Sequence, residues 1–415
     1  LPKEFNSVTI KQNGGNVMIN NGITAPRGFL ASGVSCGLKK NGKKDLAMVI
    51  SENLAVSAGI FTTNLVKGHS LMWTKNKIQS GYARAIVINS GCANACLGTR
   101  GDSDAADIAL YASSLIECEP DQVLLGSTGV IGFPLDMDKI KNGIKNAFST
   151  LSHEGGTVAA QAIMTTDTFP KEASKTFVIN GKTITIGGMC KGSGMIHPNM
   201  ATMISLITTD AAISHELLDK ALRYVADKSF NRVSIDGDTS VCDQLVIMAN
   251  GQGGNTPIVS EDSDYEIFVS ALLEVSEGLS KMLARDGEGA TKLIEIRVKG
   301  CEDIESAHLI LNSVAKSPLV KTAFFGQDAN WGRIFTAAGY SGVNFNPDLV
   351  DIYLGDLMVC NNGTGLSFDE EKASEILKKE EIIVTIDFKN GPINDRIWTC
   401  DLSFDYVRIN GSYRS

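Results

Sequence analysis

The stretch Gly187–Thr209, GGMCKGSGMIHPNMATMISLITT, gathers residue types that can act together in acyl chemistry. Glycines open it, a lone Lys191 and a His197-Pro198 pair follow, and an apolar run begins at Ala201-Thr202. Glycine reaches backbone angles closed to other residues, so such a segment can bend sharply and turn its amides toward a small ligand. Pro198 fixes one dihedral just before the run becomes strand-like. A threonine where a constrained loop meets a buried strand has an unusual option. Its hydroxyl can attack the carbonyl of Ala201, and hydrolysis of the resulting ester frees Thr202 as a new N-terminus. Such a residue carries nucleophile and base together, a hydroxyl beside its own amine. On pattern alone a plain Gly-Thr loop remains the alternative.

A second stretch, Val123–Gly132 (VLLGSTGVIG), reads as a short strand delivering Gly126-Ser127-Thr128-Gly129 into a turn. A helix around Asp138–Leu151 follows, with Ile140, Ile144, Phe148 and Leu151 at three- and four-residue spacing. Strand-to-helix glycine turns often hold anions on backbone amides. No Lys-Ser/Thr ending and no GxGxxG is present, so a nucleotide loop is excluded. Acyl transfer needs donors aimed at a developing oxyanion. The Thr128 hydroxyl and the Gly129 amide can supply two, or the segment is a plain turn.

Here the chain resembles the ornithine acetyltransferases, also called glutamate N-acetyltransferases, of the cyclic arginine pathway. Their Lys-Gly-small-Gly-Met-Ile loop and Pro-Asn-Met-Ala-Thr-Met run are present from Lys191 through Met203. Further matches are the Thr128-Gly129 pair, Met164-Thr-Thr-Asp-Thr168, Ser234-Ile-Asp-Gly-Asp-Thr-Ser240, the Glu288 turn and FGQDANWGRI at Phe325–Ile334. Departures are Cys92, where the family has Asn, Val241-Cys242, where it has Thr-Asn, and Ala329, where it has Pro. The resemblance implies self-cleavage between Ala201 and Thr202, giving chains 1–201 and 202–415 that form one interwoven core. It implies Thr202 as nucleophile, Thr128 and Gly129 as oxyanion hole, and Thr165, Lys191, Thr202, Glu288, Asn410 and Ser415 as substrate contacts, with Thr166 the alternative to Thr165. The implied reaction moves the acetyl group of N-acetylornithine to glutamate in two steps, with acetyl-CoA a possible second donor. It also implies an αββα sandwich and a heterotetramer of two alpha and two beta chains.

Read without that resemblance, several of these residues have simpler roles. Glu288 between two glycines can face a ligand amine or solvent; Trp331 and Arg333 can wall a pocket or pack a turn. The three Asp residues of Ser234–Gln244 lack calcium-loop spacing and read as a structural turn. Cys92 and Cys96 lack partners for zinc, so neither metal nor cofactor is expected. None of the five His residues falls in a Ser-His-Asp pattern.

The elements that must position these residues alternate in type. Ala83–Ser90 reads as a buried strand, Lys175–Ile179 and Lys182–Ile186 as strands, and helices are expected from Ser214 and over Asp264–Ala284. Strands are expected at Ile382–Phe388 and Arg396–Tyr406, with a disordered tail from Asn410 to Ser415. This is an α+β pattern. With 43% hydrophobic and 20% charged residues the 415-residue chain is of ordinary folded composition. A net charge of −9 argues against nucleic acid, and no apolar run approaches a bilayer span. Nine scattered cysteines fit reduced thiols. The start, Leu1, reads as trimmed, without signal-peptide order, and the expectation is a soluble cytoplasmic protein. Two rivals share these features: a self-cleaved amidohydrolase or aminopeptidase with water as acceptor, and a non-enzymatic amino-acid-binding protein.

Overall fold

The computed structural model describes residues 11–12, 15–16, 22–40, 42–197 and 203–412. They divide into two compact units. The larger comprises Leu1–Gly192, Asn199–Asn231 and Thr239–Leu279; the smaller comprises Ser193–Pro198, Arg232–Asp238 and Ser280–Ser415.

The larger unit is built on one eight-stranded sheet. In chain order its strands are β1 (Phe29–Val34), β2 (Leu46–Phe61), β3 (Tyr82–Cys92), β4 (Val123–Val130), β5 (Lys171–Ile179), β6 (Lys182–Lys191), β7 (Ile204–Thr209) and β8 (Gln244–Ala249). Across the sheet they run β4-β3-β2-β8-β7-β6-β5, with β1 paired to β2. The β3/β4 and β7/β8 pairs are parallel and the others antiparallel. Strands on either side of residues 201–202 therefore alternate in the sheet, β7 and β8 lying between β2 and β6.

Side-chain alternation sorts the sheet's two faces. Leu46, Met48, Val87, Val123 and Leu125 pack with Ala105, Ile108 and Ala112 of α2 (Thr99–Ile116) and Ile140, Ile144 and Ala147 of α3 (Met137–Ser149). Helix α3 starts where the sequence places it, because Asp136 accepts the Lys139 amide as N-cap. Helix α1 (His69–Lys77) is tied to β4, the Thr74 hydroxyl donating to the Leu125 carbonyl at 2.7 Å.

The intervening residues, Ala47, Val49, Ile86 and Ile88, join a cluster that also contains Met189 of β6, Leu206 of β7 and Val246 and Met248 of β8. The alanines of α4 (Gly156–Ile163) pack into this cluster. At the β5 end of the sheet lies α6 (Ser263–Arg285), whose Phe268 ring is 6.5 Å from Phe177 and whose Leu279 packs against Gly188. Helix α5 (His215–Lys228) is capped by Ser214 and buries Leu217, Leu218, Leu222 and Val225. The layers run helix, strand, strand, helix, as the expected αββα sandwich requires.

A six-stranded sheet organises the smaller unit. Its strands are β9 (Leu293–Cys301), β10 (Asp351–Leu354), β11 (Leu357–Asn361), β12 (Thr364–Gly365), β13 (Glu381–Asp387) and β14 (Ile393–Cys400), in the order β12-β11-β10-β13-β9-β14. Ile294, Ile296 and Val298 of β9 pack against Ile310, Leu311 and Val314 of α7 (Ile304–Lys316), Phe324 of α8 (Pro318–Phe325) and Ile334 of α9 (Trp331–Gly339). Leu377 of α10 (Glu370–Leu377) joins the same cluster. Trp331 lies against this core and the Arg333 guanidinium donates to the Leu319 carbonyl, so both pack the turn.

Two expectations need correction. The strand expected to reach Tyr406 ends at Cys400, and Phe404–Gly411 forms a helix, α11. Asp401 turns its carboxylate inward to accept the Thr291 and Lys292 amides, which ends the strand; Ser403 then caps α11 by accepting the Asp405 amide. Asn410 and Gly411, expected in a disordered tail, belong to that helix. Among the described residues no helix is long and apolar enough to cross a membrane.

Candidate active site

In the larger unit the candidate residues sit at strand ends. Thr128 and Gly129 close β4 beside the end of β3, in register with Ser90 and Gly91, where a bulge at Gly91–Cys92 interrupts the ladder. Gly129 has φ of 128°, and a Cβ there would lie 2.4 Å from the Gly91 carbonyl carbon. Both the angle and the contact require glycine. Thr128 is nearly buried, and Lys191, at the end of β6, donates from Nζ to its Oγ1 at 3.4 Å. An oxygen that accepts from an ammonium keeps its own hydrogen for another acceptor.

Behind this turn is a buried polar chain. The Ser127 hydroxyl donates to Asn89 Oδ1 at 2.6 Å and meets the Ser70 hydroxyl at 2.7 Å; Asn89 Nδ2 donates to the Cys92 carbonyl at 2.9 Å. These bonds fix the bulge through both strands. Cys92 itself is buried with its thiol 3.1 Å from the Phe133 carbonyl, and burial pushes its pKa up. It therefore acts as a small neutral side chain.

Thr165 is positioned through an acid that sequence reading passed over. Asp167 Oδ2 accepts the Thr165 amide at 2.8 Å, while Oδ1 accepts the Gly192 amide at 2.7 Å and Lys171 Nζ at 2.6 Å. Burial alone would raise the Asp167 pKa, but Lys171 and Lys191 outweigh it and hold the carboxylate well below its usual range. Lys39 also belongs here. Its Nζ donates to the Lys44 and Met164 carbonyls, both at 2.7 Å, and its stem passes Gly91. Burial lowers its pKa to about 8, with Lys191 acting in the same sense against Asp45 and Asp167. Asp45, fully buried, accepts the amides of Cys36, Gly37, Leu38 and Lys39 and so sets that loop.

The smaller unit brings together Glu288 and Asn410. Glu288 is 7% exposed, its amide donates to the Ser193 carbonyl at 2.7 Å, and its Oε2 accepts Asn410 Nδ2 at 2.6 Å. A Cβ on Gly194 would lie 2.4 Å from Oε2, so only glycine lets the backbone approach this carboxylate. One turn earlier on α11 the Tyr406 hydroxyl donates to Asp236 Oδ2 at 3.3 Å. Burial, then Asp236, raises the Tyr406 pKa, and burial raises that of Asp236.

Thr128, Gly129, Lys191 and Thr165 are thus gathered in one unit, and Glu288 and Asn410 in the other. Ala201, Thr202 and Ser415 lie outside the described residues. Asp167 with Lys171, and Lys39, escaped sequence reading. Their signals were an i,i+4 acid–base spacing inside a segment scanned for threonine, and a lysine within the KKNGKK run that reads as a solvated loop. Among the described residues no group of three or more His, Cys, Asp or Glu is placed to hold a metal ion.

Comparison with known proteins bears on the whole chain. The ArgJ family profile matches residues 30–415. The arginine biosynthesis bifunctional protein ArgJ of Symbiobacterium thermophilum is 49% identical over 396 residues, spanning 95% of this chain and 98% of that one. Its namesake from Bacillus subtilis is 44% identical over 400 residues, 96% and 98% of the two chains. Among solved structures, the Bacillus halodurans ArgJ protein is 41% identical over 50% of this chain and 98% of its own, with a TM-score of 0.49. An ornithine acetyltransferase complexed with ornithine, from Mycobacterium tuberculosis, is 38% identical over 44% and 97%, with a TM-score of 0.42. The chain belongs to the ArgJ family.

Proposed function

We propose that this enzyme transfers the acetyl group of N-acetylornithine to glutamate in arginine biosynthesis, through an acetyl ester on Thr202 formed after self-cleavage between Ala201 and Thr202. The observation that carries this reading is the Thr128–Gly129 turn: a hydroxyl backed by Lys191 beside a glycine whose neighbours exclude any side chain. Thr202 Oγ attacks the acetyl carbonyl while its α-amine, with a pKa of roughly 7.7–8.0, takes the hydroxyl proton. The carbonyl oxygen becomes an oxyanion that accepts from the Thr128 hydroxyl and the Gly129 amide. Collapse of this adduct breaks the bond to the ornithine nitrogen, which leaves with the proton. The glutamate α-amine then attacks the ester, and Thr202 leaves with its hydrogen restored.

Lys191 is assigned to the α-carboxylate that both substrates share, and Thr165 to a further substrate contact. Glu288, Asn410 and Ser415 are assigned to the side chains that distinguish the two. Chains 1–201 and 202–415 stay together in one core, assembled as a heterotetramer in the cytoplasm.

Denaturing intact-mass measurement tests the reading, before and after addition of N-acetylornithine without glutamate. Two fragments, with one acetyl group added to 202–415 alone, are expected. Release of free acetate without glutamate would replace the transferase by a hydrolase. A single whole chain from active protein would refute the mechanism. Acetyl-CoA in place of N-acetylornithine should load the same fragment if the word bifunctional in the relatives' names applies here.

A further inference from the structure

Two lysines of the larger unit carry ammonium groups that no carboxylate pairs with among the described residues. Lys191 Nζ donates to the Thr128 hydroxyl, and Lys39 Nζ donates to the Lys44 and Met164 carbonyls. Lys171, in contrast, is ion-paired with Asp167. An ammonium has three donors, so the two carbonyls leave Lys39 with one. The two acids that act on Lys39 electrostatically are already engaged. Asp45 accepts four amides, and Asp167 takes Lys171 and the Thr165 and Gly192 amides.

The fold fixes where this ammonium sits. Asp45 sets the backbone from Cys36 to Lys39, and the side chain then runs along Gly91, where a Cβ would lie 3.4 Å from Lys39 Cγ. Gly91 is the residue that backs Gly129, and Met164, whose carbonyl holds the ammonium, directly precedes Thr165. Lys39 therefore reaches from the Thr128–Gly129 turn to Thr165. Lys191 lowers the Lys39 pKa, so the two ammonium groups lie within electrostatic reach of each other. Unpaired charges of one sign that line one region concentrate the opposite charge there.

The exchange supplies a matching anion. N-acetylornithine has one carboxylate and a side-chain ammonium, whereas glutamate has two carboxylates. Lys191 is assigned to the carboxylate in common, and Glu288 suits the ammonium. None of Thr165, Glu288, Asn410 and Ser415 brings a positive charge to the second carboxylate of glutamate.

We propose that Lys39 is a specificity-determining residue for the acceptor, its remaining donor receiving the side-chain carboxylate of glutamate. This rests on the transferase reading above, and adds to it a residue that distinguishes glutamate from its uncharged analogue glutamine.

The test measures acetyl transfer from N-acetylornithine to glutamate and to glutamine, with kcat/KM for each acceptor and thermal melting for each protein. Wild type is expected to favour glutamate at least about tenfold, the weight of one charge-assisted hydrogen bond. Lys39→Met keeps a stem against Gly91 and removes the ammonium. It should lower kcat/KM for glutamate about tenfold or more beyond any loss for glutamine. A merely structural role would lower both acceptors by the same factor, together with the melting temperature, and that result would overturn the assignment. So would a wild type that uses glutamine as well as glutamate. If Lys39→Met fails to fold, Lys39→Gln, whose amide can still donate to one of the two carbonyls, is read by the same ratio. An unchanged glutamate-to-glutamine ratio in a folded variant overturns the role of Lys39 alone. A wild type that transfers acetyl to neither acceptor overturns the transferase reading itself.

Discussion

The two units present candidate chemistry of opposite character. In the larger, Thr128, Gly129 and Lys191 stand at the ends of paired strands, and three lysines, Lys39, Lys171 and Lys191, act on one carboxylate, Asp167. In the smaller, Glu288 and Asp236 are held by turns and by two side chains of a terminal helix, Asn410 and Tyr406. The first set is suited to negative charge, an α-carboxylate and a developing oxyanion; the second is suited to an ammonium group. A substrate amino acid carries both charges, and an enzyme exchanging ornithine for glutamate must hold the common end firmly while tolerating two different side chains. Strand ends suit the larger unit to a firm grip, and a short helix suits the smaller unit to an adaptable one.

This contrast can be broken most severely at the nucleophile. Thr202→Ala should leave the chain whole by mass spectrometry and lower kcat/KM by about 10⁴-fold or more, as removal of a nucleophile does elsewhere. Next is the anchor of the cationic side. Asp167→Asn leaves Lys171, 0% exposed, without its carboxylate, and should cost about 3–5 kcal/mol in chemical denaturation. If the unit tolerates it, the grip is less rigid than described. Gly129→Ala forces a Cβ into the Gly91 backbone and should reduce kcat about 10²–10³-fold with the cleaved chain still folded.

On the other side, burial and the nearby Lys316 lower the His197 pKa from 6.5 to about 4. The unfolded chain therefore binds a proton in that window that the folded imidazole does not. Stability is present in full above pH 6.5 and falls as pH drops toward 4, by at most about 1.4 kcal/mol per pH unit. His197→Gln should flatten this part of a stability–pH curve. Smallest, Glu288→Gln keeps the shape but removes the charge, and should raise KM for N-acetylornithine about tenfold with melting unchanged. An equal rise for glutamate would mean Glu288 reads the common end, sharpening the contrast in an unexpected direction.

Much of the larger unit is legible in the sequence because its signals are local. Ala83–Ser90 and Val123–Gly132 read as strands and appear as β3 and β4; the apolar spacing of Ile140 and Ile144 gives α3. The Thr128–Gly129 turn could be singled out for the same reason. The rest depends on distant partners. Asp45 and Asp167 look like ordinary loop acids until the amides they collect, from residues 36–39 and from 165 and 192, are brought to them by the fold. The end of β14 was misplaced because the alternating pattern runs on past Cys400, and what stops it is Asp401 turning inward to residues more than a hundred positions earlier. Helix α11 hides in a short polar segment whose cap, Ser403, is no stronger in sequence than many serines in turns.

The alternation of strands about residues 201–202 has a consequence for the life of the protein. Strands β7 and β8 meet strands of the earlier segment along two ladders, β6/β7 and β2/β8, each of six residue pairs. A precursor assembles this sheet within one chain, where loop closure costs only conformational entropy. If the chain is cut as proposed, the same sheet could be rebuilt only by the meeting of two separate polypeptides. Recovery from denaturation would then depend on protein concentration, although the first folding did not. A cut that equips the enzyme for chemistry would also make its fold historical, reached readily once during synthesis and regained afterwards only by encounter.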